Sequence, residues 1–175
     1  GLLPCFHSAL TSDNESVLIG VLRVITAIIK VEFNDEQEIF YKASDKALNI
    51  IKDYPSTESE VVQVSFRFLA AVVRYRQDIA FGESSLGDLL TRIQPDLDDR
   101  QGLAFTFLKT TIARRVVIPE VYDTMDKLRE VMVTNHTKQT RDTARGIYFQ
   151  FIMEYDQGRG RLEKQFKFLV DNLSY

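Results

Sequence analysis

One pattern limits what this chain can fold into more than any other: a four-residue block, large–polar–large–large, that keeps returning inside helical periodicity. Leu22-Arg23-Val24-Ile25 is followed 44 positions later by Phe66-Arg67-Phe68-Leu69. Phe105-Thr106-Phe107-Leu108 comes 39 positions after that, and Phe149-Gln150-Phe151-Ile152 another 44 on. Apolar residues recur at helical spacing from Asn14 to Leu173, with no clean strand alternation. Eight helical stretches result, and each block falls in the first helix of a pair. Two helices per unit and a period of about 40 match HEAT or armadillo-like repeats better than 34-residue tetratricopeptide units. The expected fold is therefore all-α, an α-solenoid of about four HEAT-like hairpins.

Helix punctuation supplies the boundaries. Asn14 opens a helix running to about Phe33, and a second runs from Glu36 to Asp53. Pro55-Ser56-Thr57 is a stop followed by a capping sequence, ahead of a third helix from Glu58 to Phe81. A fourth, Ser84 to Gln94, closes at Pro95. The fifth spans Asp98 to Arg115, and the sixth runs from Pro119, at the favoured first helical position, to Thr134. The seventh covers Lys138 to Tyr155, and the eighth follows Gly158-Arg159-Gly160. The chain thus reads as one segment, 1–175, with repeats at about 14–53, 58–94, 98–134 and 138–173. In the first helix Val17, Leu18, Ile19, Val21, Leu22, Val24, Ile25, Ile28 and Ile29 cover nearly every side, as expected of a helix wedged between neighbours. Of the Asn-x-Ser/Thr sequons at Asn14, Asn135 and Asn172, the first two fall at helix starts and read as caps rather than glycan sites.

Composition removes several classes of function. With 45% apolar residues the chain has a core to bury, and a lone cysteine, Cys5, excludes a disulfide framework. His7 and His136 stand far apart with no thiol spacing suited to a metal. The run from Val17 to Ile29 contains Arg23 and is too short for a span of about 20 apolar residues. The start, Gly1-Leu2-Leu3-Pro4, has no initiator Met and no signal peptide, and the end stops in mid-pattern. The expectation is an intracellular, soluble piece of something longer. No phosphate-binding loop, dinucleotide fingerprint, zinc-protease helix or nucleophile elbow occurs. Paired carboxylates such as Asp98-Asp99 sit at helix starts, where the dipole favours them. No catalytic, cofactor or metal residue is assigned; the chain is not expected to be an enzyme, nor to meet a membrane or a small-molecule substrate.

Charge is uneven. Residues 1–100 carry 10 basic and 16 acidic side chains, net −6, whereas residues 101–175 carry 12 and 9, net +3. Lys138, Arg141 and Arg145 stand at i, i+3 and i+7 on the seventh helix. The first two fall in its opening turn, where the helix dipole disfavours cations, so a bound anion such as phosphate would account for them. Arg159, Arg161, Lys164 and Lys167 form a second cluster. The plainer reading is a solvated face with local ion pairs, Arg141 or Arg145 with Asp142 and Arg161 with Glu163. No motif for sequence-specific RNA reading is present.

The stretch Val133-Thr134-Asn135-His136-Thr137-Lys138-Gln139-Thr140-Arg141-Asp142-Thr143-Ala144-Arg145-Gly146-Ile147-Tyr148-Phe149-Gln150-Phe151-Ile152-Met153-Glu154-Tyr155 resembles the "down-regulated in metastasis" family. So does its continuation, Asp156-Gln157-Gly158-Arg159-Gly160-Arg161-Leu162 and Phe166 to Tyr175. These are very large HEAT-repeat components of the small-subunit processome, associated with the U-three small nucleolar RNA. The resemblance covers roughly Pro119 to Tyr175. It implies a nucleolar scaffold that holds processome proteins and pre-rRNA or U-three RNA during early processing of the small-subunit precursor. Arg141, Arg145, Tyr155, Gly158 and Tyr175 match positions that look architectural, with Gly158 ending a helix and Tyr155 packing beneath it. The alternative is a HEAT adaptor that binds protein partners only, of the transport-receptor or kinase-scaffold type.

Overall fold

A computed structural model of the chain describes residues 2–31, 37–79, 81–99, 101–156 and 161–173. Among the described residues there are ten α-helices, one 3-10 turn and no strand. The fold is all-α, its helices paired and layered as in helical-repeat proteins. Two compact units divide the chain, residues 1–86 and 87–175.

The first unit holds α1 (Leu2–Leu10), α2 (Glu15–Ile28), α3 (Gln37–Asp53) and α4 (Glu60–Tyr75), followed by a 3-10 turn at Gln77–Ile79. Asn14 caps α2 as expected, its Oδ1 accepting from the Ser16 and Val17 amides at 2.9 and 3.4 Å. The Tyr54 hydroxyl donates to Glu15 at 2.7 Å, so α3 ends where α2 begins and the two run antiparallel. At the other end of α3, Tyr41 donates to the Asp78 carbonyl at 3.1 Å, beyond the end of α4. Arg23 of α2 pairs with Glu60 at the start of α4, and Lys30 reaches the Tyr75 ring at its end, 5.7 Å from the centroid. Helices α2 and α4 therefore run parallel, with α3 antiparallel to both. Leu22, Ile25, Phe40, Ala43, Phe66 and Phe68 lie fully inside; each large side chain among them contributes roughly 1.5–3 kcal/mol by leaving water. The buried Ser65 hydroxyl is satisfied by the Val61 carbonyl at 2.7 Å.

The second unit contains most of α5 (Glu83–Ile93), then α6 (Asp96–Asp99), α7 (Gln101–Ala113), α8 (Pro119–Thr134), α9 (Lys138–Glu154) and α10 (Arg161–Leu173). The Tyr122 hydroxyl donates to the Asp156 carbonyl at 3.1 Å, which makes α8 and α9 antiparallel. Tyr155, just past α9, donates to the Val116 carbonyl at 2.7 Å, just past α7, so α7 and α9 are parallel. Gln94 donates to Thr124 at 3.1 Å, and α5 comes so close to α8 that a Cβ on Gly87 would meet the Glu120 carboxyl carbon at 2.7 Å. Helices α5 and α8 are parallel too. First helices thus line up with first helices and second with second, the layering of a helical-repeat protein.

All eight expected stretches are helical, with three differences. Helix α1 lies ahead of the first expected stretch, which begins at Asn14; its Pro4 falls within the first turn, where it removes no needed amide and is tolerated. The third stretch stops at Tyr75 rather than Phe81, with Arg76 leaving the helical region at φ −132°. The fifth opens earlier than expected, with α6 at Asp96, and α7 ends at Ala113 rather than Arg115; beyond it Arg115 takes a left-handed φ of 53°. Nor is α2 wedged on all sides. Its third block position, Val24, is 47% exposed, whereas Leu22 at the first is buried, and it is α4 that is buried nearly all round. In the second unit the exposed block position is the first of α9: Phe149 is 47% exposed while Phe105, Phe107 and Phe151 are buried.

Candidate nucleic-acid interface

The turn between α8 and α9 is built around one asparagine. Asn135 is 4% exposed. Its side-chain amide donates to the Asp98 carbonyl at 3.0 Å and carboxylate at 2.9 Å, and its Oδ1 accepts from the Thr137 amide at 2.9 Å. Asn135 is thus not the N-cap of α9. It closes α8, and Thr137 occupies the cap position without a side-chain bond of its own.

That turn determines what the first basic cluster does. Lys138 is the first residue of α9, exposed, with no bonded partner among the described residues. Arg141 is half-buried and its Nη1 donates to the Asn135 carbonyl at 2.6 Å. Besides the unfavourable N-terminal dipole of α9, Arg141 faces the carbonyl end of α8, where a cation is favoured. Arg145 pairs with Asp142 at 3.3 Å, one of the ion pairs expected of a solvated face, and its side chain is only 25% exposed. Its Nε is buried with no hydrogen-bond partner among the described residues.

The second cluster lies on α10, where Lys164 and Lys167 are exposed and find no bonded partner among the described residues. Arg159, Gly158, Tyr175 and the side chain of Arg161 lie outside the described residues. Leu169 and Gln165 are buried against the rest of the unit. One cation joins this cluster that sequence reasoning missed. Arg129, on α8, places its guanidinium 4.7 Å from the Phe168 ring centre, and its Nε too is buried without a partner among the described residues. Nothing local marks Arg129, since its neighbour is 39 residues away.

Tyr155 is buried; Gly158, beneath which the resemblance placed it, lies outside the described residues. The tyrosine is 5% exposed, its ring lies tilted against Phe151 at 5.0 Å and meets Tyr122 edge-on at 6.2 Å, and burial pushes its hydroxyl well above the ordinary tyrosine range. Elsewhere, Cys5 is exposed, and among the described residues no group of three His, Cys, Asp or Glu could hold a metal. No described helix is long and apolar enough to cross a membrane.

No protein-family model matches the chain. Its similarity to known proteins runs along its entire length. U3 small nucleolar RNA-associated protein 20 of Saccharomyces cerevisiae is 49% identical over 178 aligned residues, which cover 100% of this chain and 7% of that protein. The protein of the same name from Schizosaccharomyces pombe is 37% identical, over 99% of the chain and again 7% of the relative. The chain therefore spans about 7% of the length of these relatives. The resemblance seen in its last third extends to every residue of the all-helical fold, and the chain belongs, as one segment, to the family of these U3 small nucleolar RNA-associated proteins.

Proposed function

We propose that the chain is one stretch of an α-helical scaffold of the small-subunit processome, holding assembly proteins and pre-rRNA or U3 RNA in place during early processing of the small-subunit precursor. The observation that carries this reading is identity of 49% along the whole chain to a protein named for its association with U3 small nucleolar RNA. The scaffold works in the nucleolus, catalyses no step, and uses no cofactor or small-molecule substrate. Its contacts with RNA go mainly to phosphates and are salt-sensitive, through Lys138, Arg141, Arg145, Arg159, Arg161, Lys164 and Lys167.

The repeats at about 14–53, 58–94, 98–134 and 138–173 are hairpins of a longer solenoid in this reading. Two features support it. Helices in equivalent positions run parallel in each unit, and the block positions left exposed, Val24 and Phe149, have equivalents that are buried elsewhere in the chain.

A pull-down of the tagged parent protein from cell extract, with and without ribonuclease, tests this. The expected eluate contains small-subunit precursor RNA, U3 RNA and processome proteins. Protein partners alone, indifferent to ribonuclease and free of ribosomal precursors, would replace it with the protein-only adaptor. That second reading draws on the internal bonds already made by Arg141 and Arg145.

A further inference from the structure

We propose that Arg129 and Arg145 form a two-arginine seat for a single phosphate of an RNA backbone, recessed where α8, α9 and α10 meet. The inference rests on the RNA-contacting scaffold reading, and it adds Arg129, which no sequence signal singled out.

Helix register brings the two arginines to one level. Tyr122 meets Asp156 at one end of the antiparallel α8–α9 pair, and Asn135 meets Thr137 and Arg141 at the other. Counting inward from both ends at about 1.5 Å per residue sets Arg129 opposite residues 143 to 149, a span centred near Arg145 and Gly146. From the third side, α10 lays Phe168 against the Arg129 guanidinium, and one turn earlier buries Gln165 to 3% exposure.

The hydrogen-bond inventory then leaves a specific vacancy in chemistry. Arg129 Nε and Arg145 Nε are both buried donors without an acceptor among the described residues. Gln165 Oε1 is a buried acceptor likewise without a partner among the described residues, but one neutral amide oxygen cannot offset two guanidinium charges taken from water, so the site calls for an anionic acceptor. The only described carboxylate on either arginine is Asp142, at 3.3 Å from Arg145 Nη1. A phosphate meets the requirement, since its oxygens match the planar guanidinium fork and its charge offsets two cations.

RNA fits better than an isolated phosphorylated side chain, because positive charge continues on both sides of the seat. Lys138 and Arg141 extend it along α9, and Lys164 and Lys167 extend it along α10. A polyanion uses such a track, whereas a lone phosphate does not need it.

The test is fluorescence-anisotropy titration of a labelled 20-nucleotide single-stranded RNA with the 175-residue chain over a series of salt concentrations. Arg129→Gln, Arg145→Gln and the double variant are compared with wild type. Each single variant should weaken binding about tenfold and lower the slope of log K against log salt by about 0.7, one phosphate on a single strand. Because the phosphate is shared, the double variant should lose scarcely more than either single one. A loss in the double variant equal to the sum of the two would overturn the shared seat, as would unchanged binding in both single variants; both results leave the RNA reading standing. Wild-type chain that fails to bind RNA overturns seat and reading together. Displacement of the RNA by a phosphoserine peptide at equal concentration assigns the seat to a protein partner instead. Should the variants unfold, the arginine Nε–H resonances of unaltered chain give the answer. Two slowly exchanging signals should shift together on adding RNA, and signals that stay in place refute the seat.

Discussion

Asn135 ties three pieces of backbone together from a position that is almost wholly buried. Its amide holds Asp98 at the start of the α6–α7 stretch, its carbonyl oxygen holds the Thr137 amide ahead of α9, and its backbone carbonyl receives Arg141. Asn135→Ala removes the first three bonds and strands the Thr137 amide, at a cost of about 2–3 kcal/mol, readable as a lower midpoint in denaturant. Tyr155→Phe strands the Val116 carbonyl and should cost about 1–2 kcal/mol. That variant also carries a pH signature. Tyr155 holds its proton more tightly folded than unfolded, where tyrosines titrate near 10, because burial first, then Tyr122 and Glu154, disfavour the phenolate. Its contribution is whole below about pH 10 and drains away as pH climbs beyond it. Wild type should therefore lose stability above pH 10 more steeply than Tyr155→Phe, as followed by circular dichroism. Arg115→Gly should act in the opposite direction. The left-handed φ of 53° costs a non-glycine residue about 1 kcal/mol, and the exposed pair with Glu154 at 3.9 Å returns less than about 0.5. After allowing for the floppier unfolded glycine, a net gain of about 0.5 kcal/mol should appear as a slightly raised melting temperature.

At the level of helices, the repeating block has a direction. Its first and third residues both pack inward in α4 and α7, only the first does in α2 and only the third in α9, and the exceptions, Val24 and Phe149, are 47% exposed. Phe151→Ala should thus cost about 3–5 kcal/mol in the 175-residue chain, while Phe149→Ser, two residues away, should stay within about 0.5. Thermal denaturation of the two variants checks the pair at once. The helices and their pairing were legible because apolar periodicity and punctuation such as Pro119 and Asn14 are local signals. What escaped was set by tertiary contact. Arg141 looked anomalous because only the dipole of its own helix was in view, and the carbonyl end of α8 six residues back supplies its partner. Arg129 stayed invisible because its ring partner, Phe168, belongs to another hairpin. Nor does the sequence tell which members of the basic stripe are already engaged within the chain, as Arg141 and Arg145 are.

For the molecule as a whole, nearest-neighbour stacking makes stability depend on how many hairpins are joined. Val17, Val24 and Val31 on or just past α2, and Phe149 and Met153 on α9, are exposed apolar side chains. In a longer solenoid they meet further hairpins, each burying about as much apolar surface as the internal interfaces do. A stretch of the parent protein carrying one more hairpin on either side should therefore unfold at a higher denaturant concentration, with a larger dependence on denaturant because more surface is exposed on unfolding. A single substitution separates this from a merely bigger protein. Val24→Glu and Phe149→Glu leave the 175-residue chain nearly unchanged, since both side chains reach water there. In the longer stretch the same substitutions place an unpaired carboxylate at a buried interface and should each cost at least about 2–3 kcal/mol. If their cost is as small in the longer stretch as in the shorter, those faces are free surface and the repeats do not continue through them.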